Sequence, residues 1–212
     1  MKKDTRLTTS GRRPEENHGI VNPPVYHAST IIRPSVEAYE KAEKTPFDGV
    51  YYGLHGTPTT FAFEEAVAAL EGGYRCIATC SGLAAITGSL LAFLKAGDHL
   101  LMVDSAYGPT RRMCDSLLAG FGVETTYYDP LIGGGIEARM RPETKVVFVE
   151  SPGSLTFEVQ DVAAIAKAAH DGSAIVIMDN TWSAGLYFEP FEHGVDVSIQ
   201  AATKYIGGHS DL

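Results

Sequence analysis

Short apolar segments alternate with helix-like segments from residue 74 to residue 199 of this chain. The segments predicted to be strands are 74–79, 99–103, 123–128, 145–150, 174–178 and 195–199. Helices are predicted at 83–94, 110–119 and 161–170. Because strands and helices that alternate at this spacing form βαβ units, the sequence predicts an α/β fold around a mostly parallel sheet.

The chain before this alternation has a different composition. Residues 1–30 are polar and contain several glycines and prolines, so they are predicted to form an extended arm. A short helix is predicted at 35–44, followed by a Gly/Tyr/Thr-rich loop at 49–60. A further helix is predicted from Thr60 to the pair Gly72-Gly73, which is a typical helix end.

Composition excludes several classes of protein. The 212 residues carry a net charge of −9, which disfavours nucleic acid and anionic membranes as partners. No apolar run approaches the roughly 20 residues that span a bilayer, and the start of the chain has no apolar core of a secretory signal. The cysteines Cys76, Cys80 and Cys114 have no zinc-like spacing, so reduced thiols in the cytoplasm and no metal site are expected.

The candidate site follows from the sheet, because open parallel sheets bind ligands at the carboxyl ends of their strands. Ser81-Gly82-Leu83 joins a predicted strand to a helix, where backbone N–H groups and the helix dipole suit a phosphate. Taken alone, the glycine is better explained as a packing turn. Tyr107 follows the next strand and could stack on a flat ring or anchor a loop. Glu150 ends another strand as an N-cap or an ion-pair partner.

Two further residues have unusual surroundings. Asp179 directly follows the apolar strand at 174–178, where a carboxylate needs a cationic partner, a helix to cap or a salt bridge. Lys204 lies among apolar residues and glycines, which suggests either a partly buried lysine able to form a Schiff base or an ordinary surface lysine. A phosphate cradle, an aromatic ring, a buried carboxylate and such a lysine together fit pyridoxal phosphate.

These segments also resemble the Cys/Met-metabolism enzymes that use pyridoxal phosphate (PLP). Two motifs carry most of the resemblance, because their order and spacing match: Asp179-Asn180-Thr181-Trp182 and Ala202-Thr203-Lys204-Tyr205-Ile206-Gly207-Gly208-His209-Ser210-Asp211. Residues 22–26, 51–59 and 81–85 are similar as well, so the resemblance covers essentially the whole chain. It implies the aspartate-aminotransferase-like fold (fold type I), with 1–57 as an N-terminal arm and inter-subunit loop and 58–212 as the PLP-binding domain.

The resemblance implies a role for each matching catalytic residue. Lys204 would hold the cofactor as a Schiff base and later move the Cα proton. Asp179 would pair with the pyridine nitrogen, and Tyr107 would stack on the ring and assist proton transfer or departure of the leaving group. Tyr52 would reach the phosphate or substrate of a neighbouring subunit, which implies a homo-oligomer, at least a dimer, with a tetramer as the usual assembly.

Phosphate binding is implied for Gly82 and Leu83 through their N–H groups and for Thr203 through its hydroxyl. Two positions depart from the family pattern, since Leu54 replaces an arginine and Ala201 replaces a serine. Both departures remove a phosphate contact. Relatives are nearly twice as long, so the C-terminal small domain is expected to be absent from this chain.

Within the family, segments 150–154 and 198–204 are most similar to those of cystathionine β-lyases. The implied activity is α,β-elimination of L-cystathionine, a small sulfur amino acid, to homocysteine, pyruvate and ammonia. Three alternatives remain: a γ-specific relative (cystathionine γ-lyase or γ-synthase, or methionine γ-lyase), a catalytically incomplete cofactor-binding fragment, and a nucleotide-binding α/β protein. The last is disfavoured because neither glycine-rich nucleotide motif is present.

Overall fold

The computed structural model describes residues 2–45 and 49–210, and the chain divides into two compact units, Met1–Ala78 and Thr79–Leu212. The predicted domain boundary after residue 57 stays a prediction. Asp211, the last residue of the lysine motif, lies outside the described residues. Each unit is described below by itself.

The described residues of the first unit form three α-helices: α1 (Lys3–Thr9), α2 (Val36–Glu43) and α3 (Pro58–Glu71). Helix α2 begins where the Ser35 hydroxyl accepts the N–H of Ala38 at 3.2 Å, and α3 ends at Gly72, whose φ of 76° only glycine adopts easily. The sequence predicted both helices, which are confirmed within two residues at each end.

The prediction of an extended arm at 1–30 is wrong in part, because α1 and a 3₁₀ turn (Pro14–Glu16) form there. The arm packs on α3, where the backbone of Gly11 approaches the carbonyl oxygen of Ala62 so closely that a side chain would clash. Arg13 also donates to Glu65 of α3 at 2.9 Å. Tertiary contacts of this kind can order a short helix that has little stability alone.

The second unit is built on a five-stranded parallel sheet. Its strands are β1 (His99–Val103), β2 (Glu124–Tyr128), β3 (Thr144–Glu150), β4 (Ile175–Asp179) and β5 (Val197–Ile199), in the order β2-β1-β3-β4-β5. Every pairing is parallel, so the predicted α/β fold is confirmed. Strands β1, β3 and β4 form the centre, and their apolar residues are almost fully buried.

Three helices follow strand-like or loop segments in this unit: α4 (Gly82–Phe93), α5 (Gly108–Met113) and α6 (Val162–Asp171). Helix α5 continues as a π-helical turn at Cys114–Leu118. The predicted N-cap of α6 is confirmed, because the Asp161 carboxylate accepts the N–H of Ala164 at 3.0 Å. Within the described residues, no helix combines the length and apolarity that crossing a bilayer requires.

The strand predicted at 74–79 does not form. No other strand of the described residues pairs with it, and Tyr74 and Ile77 are largely exposed. The N–H of Ala78 instead donates to the Glu64 carboxylate of α3 at 2.8 Å. An apolar sequence becomes a strand only when a neighbouring backbone completes its ladder.

Candidate active site

The candidate site lies at the carboxyl edge of the sheet, where β3, β4 and β5 end beside one another. Glu150 and Asp179 are matched in register across β3 and β4, and Asp179 and Ile199 across β4 and β5. Residues that follow these strands therefore emerge side by side, as the sequence predicted for the edge of an open parallel sheet.

Asp179 is a buried carboxylate with 8% of its surface exposed. Its Oδ1 accepts the N–H of Thr181 at 3.0 Å, but none of the described residues forms a salt bridge with it. Burial raises the pKa of Asp179, and hydrogen bonds from Thr181 oppose that rise. A cation bound here would offset the cost of burying this charge.

Glu150 lies beside Asp179 and is partly buried. Its Oε2 accepts the N–H of Tyr107 at 2.8 Å. Burial and the adjacent Asp179 raise the pKa of Glu150 to about 8, while the Tyr107 N–H opposes the rise. Glu150 forms no ion pair with any described residue. Its carboxylate instead accepts the N–H of Tyr107, the residue that precedes α5, so it acts like an N-cap that comes from a distant strand.

Tyr107 precedes α5, and its side chain is about half exposed at the carboxyl edge. The hydrogen bond to Glu150 places its backbone next to the ends of β3 and β4. Sequence reasoning missed this link, because no local pattern connects residues 43 positions apart.

The first turn of α4 has the features of a phosphate cradle. The Ser81 hydroxyl accepts the N–H of Ala84 at 3.1 Å, and within the described part of the chain no acceptor bonds the N–H groups of Gly82 and Leu83. A Cβ on Gly82 would lie 2.8 Å from the Cβ of Ala201, so the glycine is also a close packing contact. Free N–H groups and the positive end of the helix dipole suit an anion.

Lys204 and Thr203 lie on the loop that follows β5, and both are exposed. Of the two surroundings considered for Lys204, the structure shows the exposed one, on a loop beyond the last strand, and its role as the Schiff-base lysine stays a prediction. The loop itself is held at its base: the N–H of Ala201 donates to Thr181 Oγ1 at 2.9 Å, and Gln200 Nε2 donates to the Asn180 carbonyl at 2.8 Å. The lysine loop is therefore tied to the segment that follows Asp179.

An aromatic stack joins the same two segments. The rings of Trp182 and Tyr205 lie 4.8 Å apart between centroids with an interplanar angle of 3°, and Phe157 packs on Trp182 edge-on at 5.9 Å. Trp182 follows Asp179 by three residues, and Tyr205 follows Lys204 directly. Both aromatics belong to the two motifs that carry the family resemblance, but no local pattern predicts that they would touch.

Tyr52 belongs to the first unit, where its hydroxyl accepts from Ser29 Oγ at 3.4 Å and its ring meets His55 edge-on at 5.9 Å. The structure therefore brings together Gly82, Tyr107, Asp179 and the Lys204 loop within the second unit, whereas the role of Tyr52 stays a prediction.

These residues fit pyridoxal phosphate on two observations. Asp179 is a buried carboxylate without a cation among the described residues, and it could hold a protonated ring nitrogen. The N–H groups of Gly82 and Leu83, which bond no acceptor among the residues described, could hold the phosphate, with the Thr203 hydroxyl on the adjoining loop. Lys204 is accessible for a Schiff base.

Comparisons with known proteins agree on one group of enzymes. The family model "Cys/Met metabolism PLP-dependent enzyme" matches residues 4–212. A putative cystathionine beta-lyase of Rhizobium johnstonii is 53% identical over 209 residues, covering 99% of this chain and 52% of that protein. Cystathionine beta-lyase MetC of Escherichia coli is 46% identical over 213 residues, covering 99% and 54%.

Solved structures give the same fold. Cystathionine gamma-lyase from Lactobacillus plantarum, solved with L-serine, matches with a TM-score of 0.90 and 33% identity over 100% of this chain and 53% of its own. The chain thus spans about half the length of the relatives it matches.

Proposed function

Because the chain belongs to the Cys/Met-metabolism family of PLP-dependent enzymes, we propose that it is part of a carbon–sulfur lyase that cleaves L-cystathionine by α,β-elimination. Family membership confirms the predicted cofactor and the predicted PLP-dependent fold. The observation that carries the proposal is the buried Asp179 at the carboxyl edge, which forms no salt bridge with any described residue and lies one strand from the Lys204 loop. A site built for a cationic ring suits chemistry that needs an electron sink.

The β-specific reaction is favoured over γ-specific ones by two lines of support. Segments 150–154 and 198–204 are similar to those of cystathionine β-lyases. The Rhizobium and Escherichia relatives, which carry that name, are more than 40% identical to this chain.

In the proposed reaction, L-cystathionine and water give homocysteine, pyruvate and ammonia. Bound pyridoxal phosphate supplies an electron sink for the pair released when the Cα–H bond breaks. Lys204 takes the Cα proton, Asp179 keeps the ring nitrogen protonated, and Tyr107 covers the ring and assists departure of the thiolate. The N–H groups of Gly82 and Leu83 hold the phosphate in place.

The second candidate is a γ-specific lyase, which the similarity to the Lactobacillus gamma-lyase favours. The test is to incubate the intact protein with L-cystathionine and identify the products. Pyruvate and homocysteine are expected. If 2-oxobutyrate and cysteine form instead, the β-specific assignment is wrong. A Lys204→Ala preparation controls for contaminating lyases.

We also propose that the active enzyme is a homo-oligomer in which Tyr52 acts on the site of a neighbouring subunit. Mixing inactive Lys204→Ala and Tyr52→Ala proteins should then restore part of the activity, because some mixed assemblies contain one complete site. No restoration, after subunit exchange has been verified, would place Tyr52 outside the neighbour's site.

A further inference from the structure

Glu150 is a second acidic side chain at the site, and the proposed reaction leaves it without a role. It is matched in register with Asp179 at the ends of neighbouring strands, which lie about 4.8 Å apart in a sheet. Residues matched in parallel register point to the same face, so the two carboxyl groups leave the sheet side by side. Two adjacent partly buried carboxylates are unfavourable unless their contacts compensate for the repulsion.

The contact that Glu150 makes is directed at Tyr107. Its Oε2 accepts the Tyr107 N–H at 2.8 Å, and its own backbone carbonyl accepts from Nε2 of the buried Gln160 at 2.7 Å. The main chain of Glu150 is thus held at the end of β3, and its carboxylate reaches across to the loop that follows β1.

The Tyr107 side chain has little else to position it. It is about half exposed, and no ring of the described residues stacks on it. Its orientation therefore depends on its main chain. The Tyr107 N–H is bonded to the end of the strand next to Asp179, and the nearby Ser105 carbonyl accepts the N–H of Ser154, so Glu150 supplies the tie at Tyr107 itself.

We propose that Glu150 is a positioning residue, whose carboxylate holds the main chain of Tyr107 so that the Tyr107 ring lies over a cofactor ring paired with Asp179. This inference rests on the proposed stacking role of Tyr107. A cationic ring bound at Asp179 also offsets the repulsion between the two carboxylates. Binding of the ring therefore favours the ionised form of Glu150.

The electrostatics are consistent with this role. Burial and Asp179 raise the pKa of Glu150 to about 8 although the Tyr107 N–H opposes the rise, so the charged form is favoured at neutral pH only when a cation binds nearby.

The test measures the dissociation constant of pyridoxal phosphate for the intact protein, together with the visible circular dichroism of the bound cofactor, which reports ring orientation. Glu150→Ala should weaken binding by about tenfold or more, the scale of one lost hydrogen bond to a charged group, and should reduce the dichroism. Glu150→Gln keeps an oxygen acceptor, so it should stay within about threefold of the original.

A double-mutant cycle separates positioning from general stabilisation. In a Tyr107→Ala background, Glu150→Ala should have little further effect on cofactor affinity, because the residue through which Glu150 acts has gone. Glu124→Ala is the matched control, since it removes a glutamate at the opposite end of the sheet.

Additive effects of the two substitutions would overturn the proposal, as would equal losses in the Gln and Ala variants. If Glu150→Ala does not fold, Glu150→Met gives the same comparison with a side chain of similar length and no strong acceptor. Because no substrate is present, a wrong assignment of the elimination reaction would leave this result unaffected.

Discussion

Asp179 ends β4 and Lys204 lies on the loop after the neighbouring strand β5, yet their surroundings in the structure are opposite. Asp179 is buried and hydrogen-bonded within its own turn, whereas Lys204 is exposed, and no described residue bonds its side chain. The carboxylate keeps one partner throughout the proposed reaction, while the lysine must exchange cofactor and proton. The site therefore combines a buried, immobile carboxylate, Asp179, at the edge of the sheet with an exposed amine, Lys204, on the adjacent loop.

The largest loss of activity is expected when Lys204 is replaced. Lys204→Ala should lower turnover of L-cystathionine by about 10³-fold or more, because both the covalent link and the proton acceptor are lost. Borohydride reduction followed by peptide mass mapping should find the cofactor on Lys204 in the original protein. Lys167→Ala, which changes an exposed lysine of α6, should behave like the original. An adduct mapped to another lysine would remove Lys204 from this role.

Replacing the buried charge of Asp179 should lower activity without lowering stability. Asp179→Asn should lower kcat by roughly 10²–10³-fold, a scale typical of a lost preorganised charge. The cofactor-free protein should be at least as stable as the original, because the amide oxygen can still accept the Thr181 N–H and a buried charge has gone. Thermal unfolding of both apo forms checks this, and a clear loss of stability would contradict it.

The contact between the two sides of the site can be tested at Gly82. Gly82→Ala should destabilise the protein by about 1–3 kcal/mol, since its Cβ would lie 2.8 Å from that of Ala201. Gly88→Ala in the same helix meets nothing within 4 Å and should stabilise by about 0.5–1 kcal/mol. Urea unfolding of both variants gives the comparison. Similar effects at the two positions would mean that the close approach is unimportant.

The stability of the cofactor-free protein should depend on pH through Glu150. Because the pKa of Glu150 is raised in the folded state to about 8, its contribution to stability is complete below its unfolded pKa near 4.3 and is lost as pH rises toward 8. The apo protein should lose about 1–3 kcal/mol over this window from Glu150, less than the full pKa difference implies, since solvent screens a partly exposed group. Glu150→Gln should remove this part of the slope, leaving that of Asp179. An unchanged slope would contradict the assignment.

The smallest effect is expected at the aromatic stack that joins the two loops. Tyr205→Ala should cost about 0.5–1.5 kcal/mol and shift the emission of Trp182, the one tryptophan of this chain, to longer wavelength. Tyr205→Phe keeps the stack and should preserve both values. Tyr187→Ala removes an exposed tyrosine and serves as the control. Emission that does not change in Tyr205→Ala would show that the stack is not maintained in solution.

The sequence predicted what depends on local pattern. The apolar runs at 99–103 and 174–178 became central strands, and Asp161 capped α6 as expected, because burial period and capping are properties of adjacent residues. It could not predict that 74–79 would find no strand partner. The Glu150–Tyr107 bond and the Trp182–Tyr205 stack were not predicted for the same reason, since each joins residues that only the fold brings together.

The strand order β2-β1-β3-β4-β5 determines where the Tyr107–Glu150 bond lies in the fold. After β1 the chain turns toward one edge of the sheet, and after β3 it turns toward the other, so β1 and β3 flank a topological switch point. Loops that diverge at such a point open a crevice between them. Two hydrogen bonds span this crevice, from the Tyr107 N–H to Glu150 and from the Ser154 N–H to the Ser105 carbonyl, so these two contacts together limit how far the loops can separate.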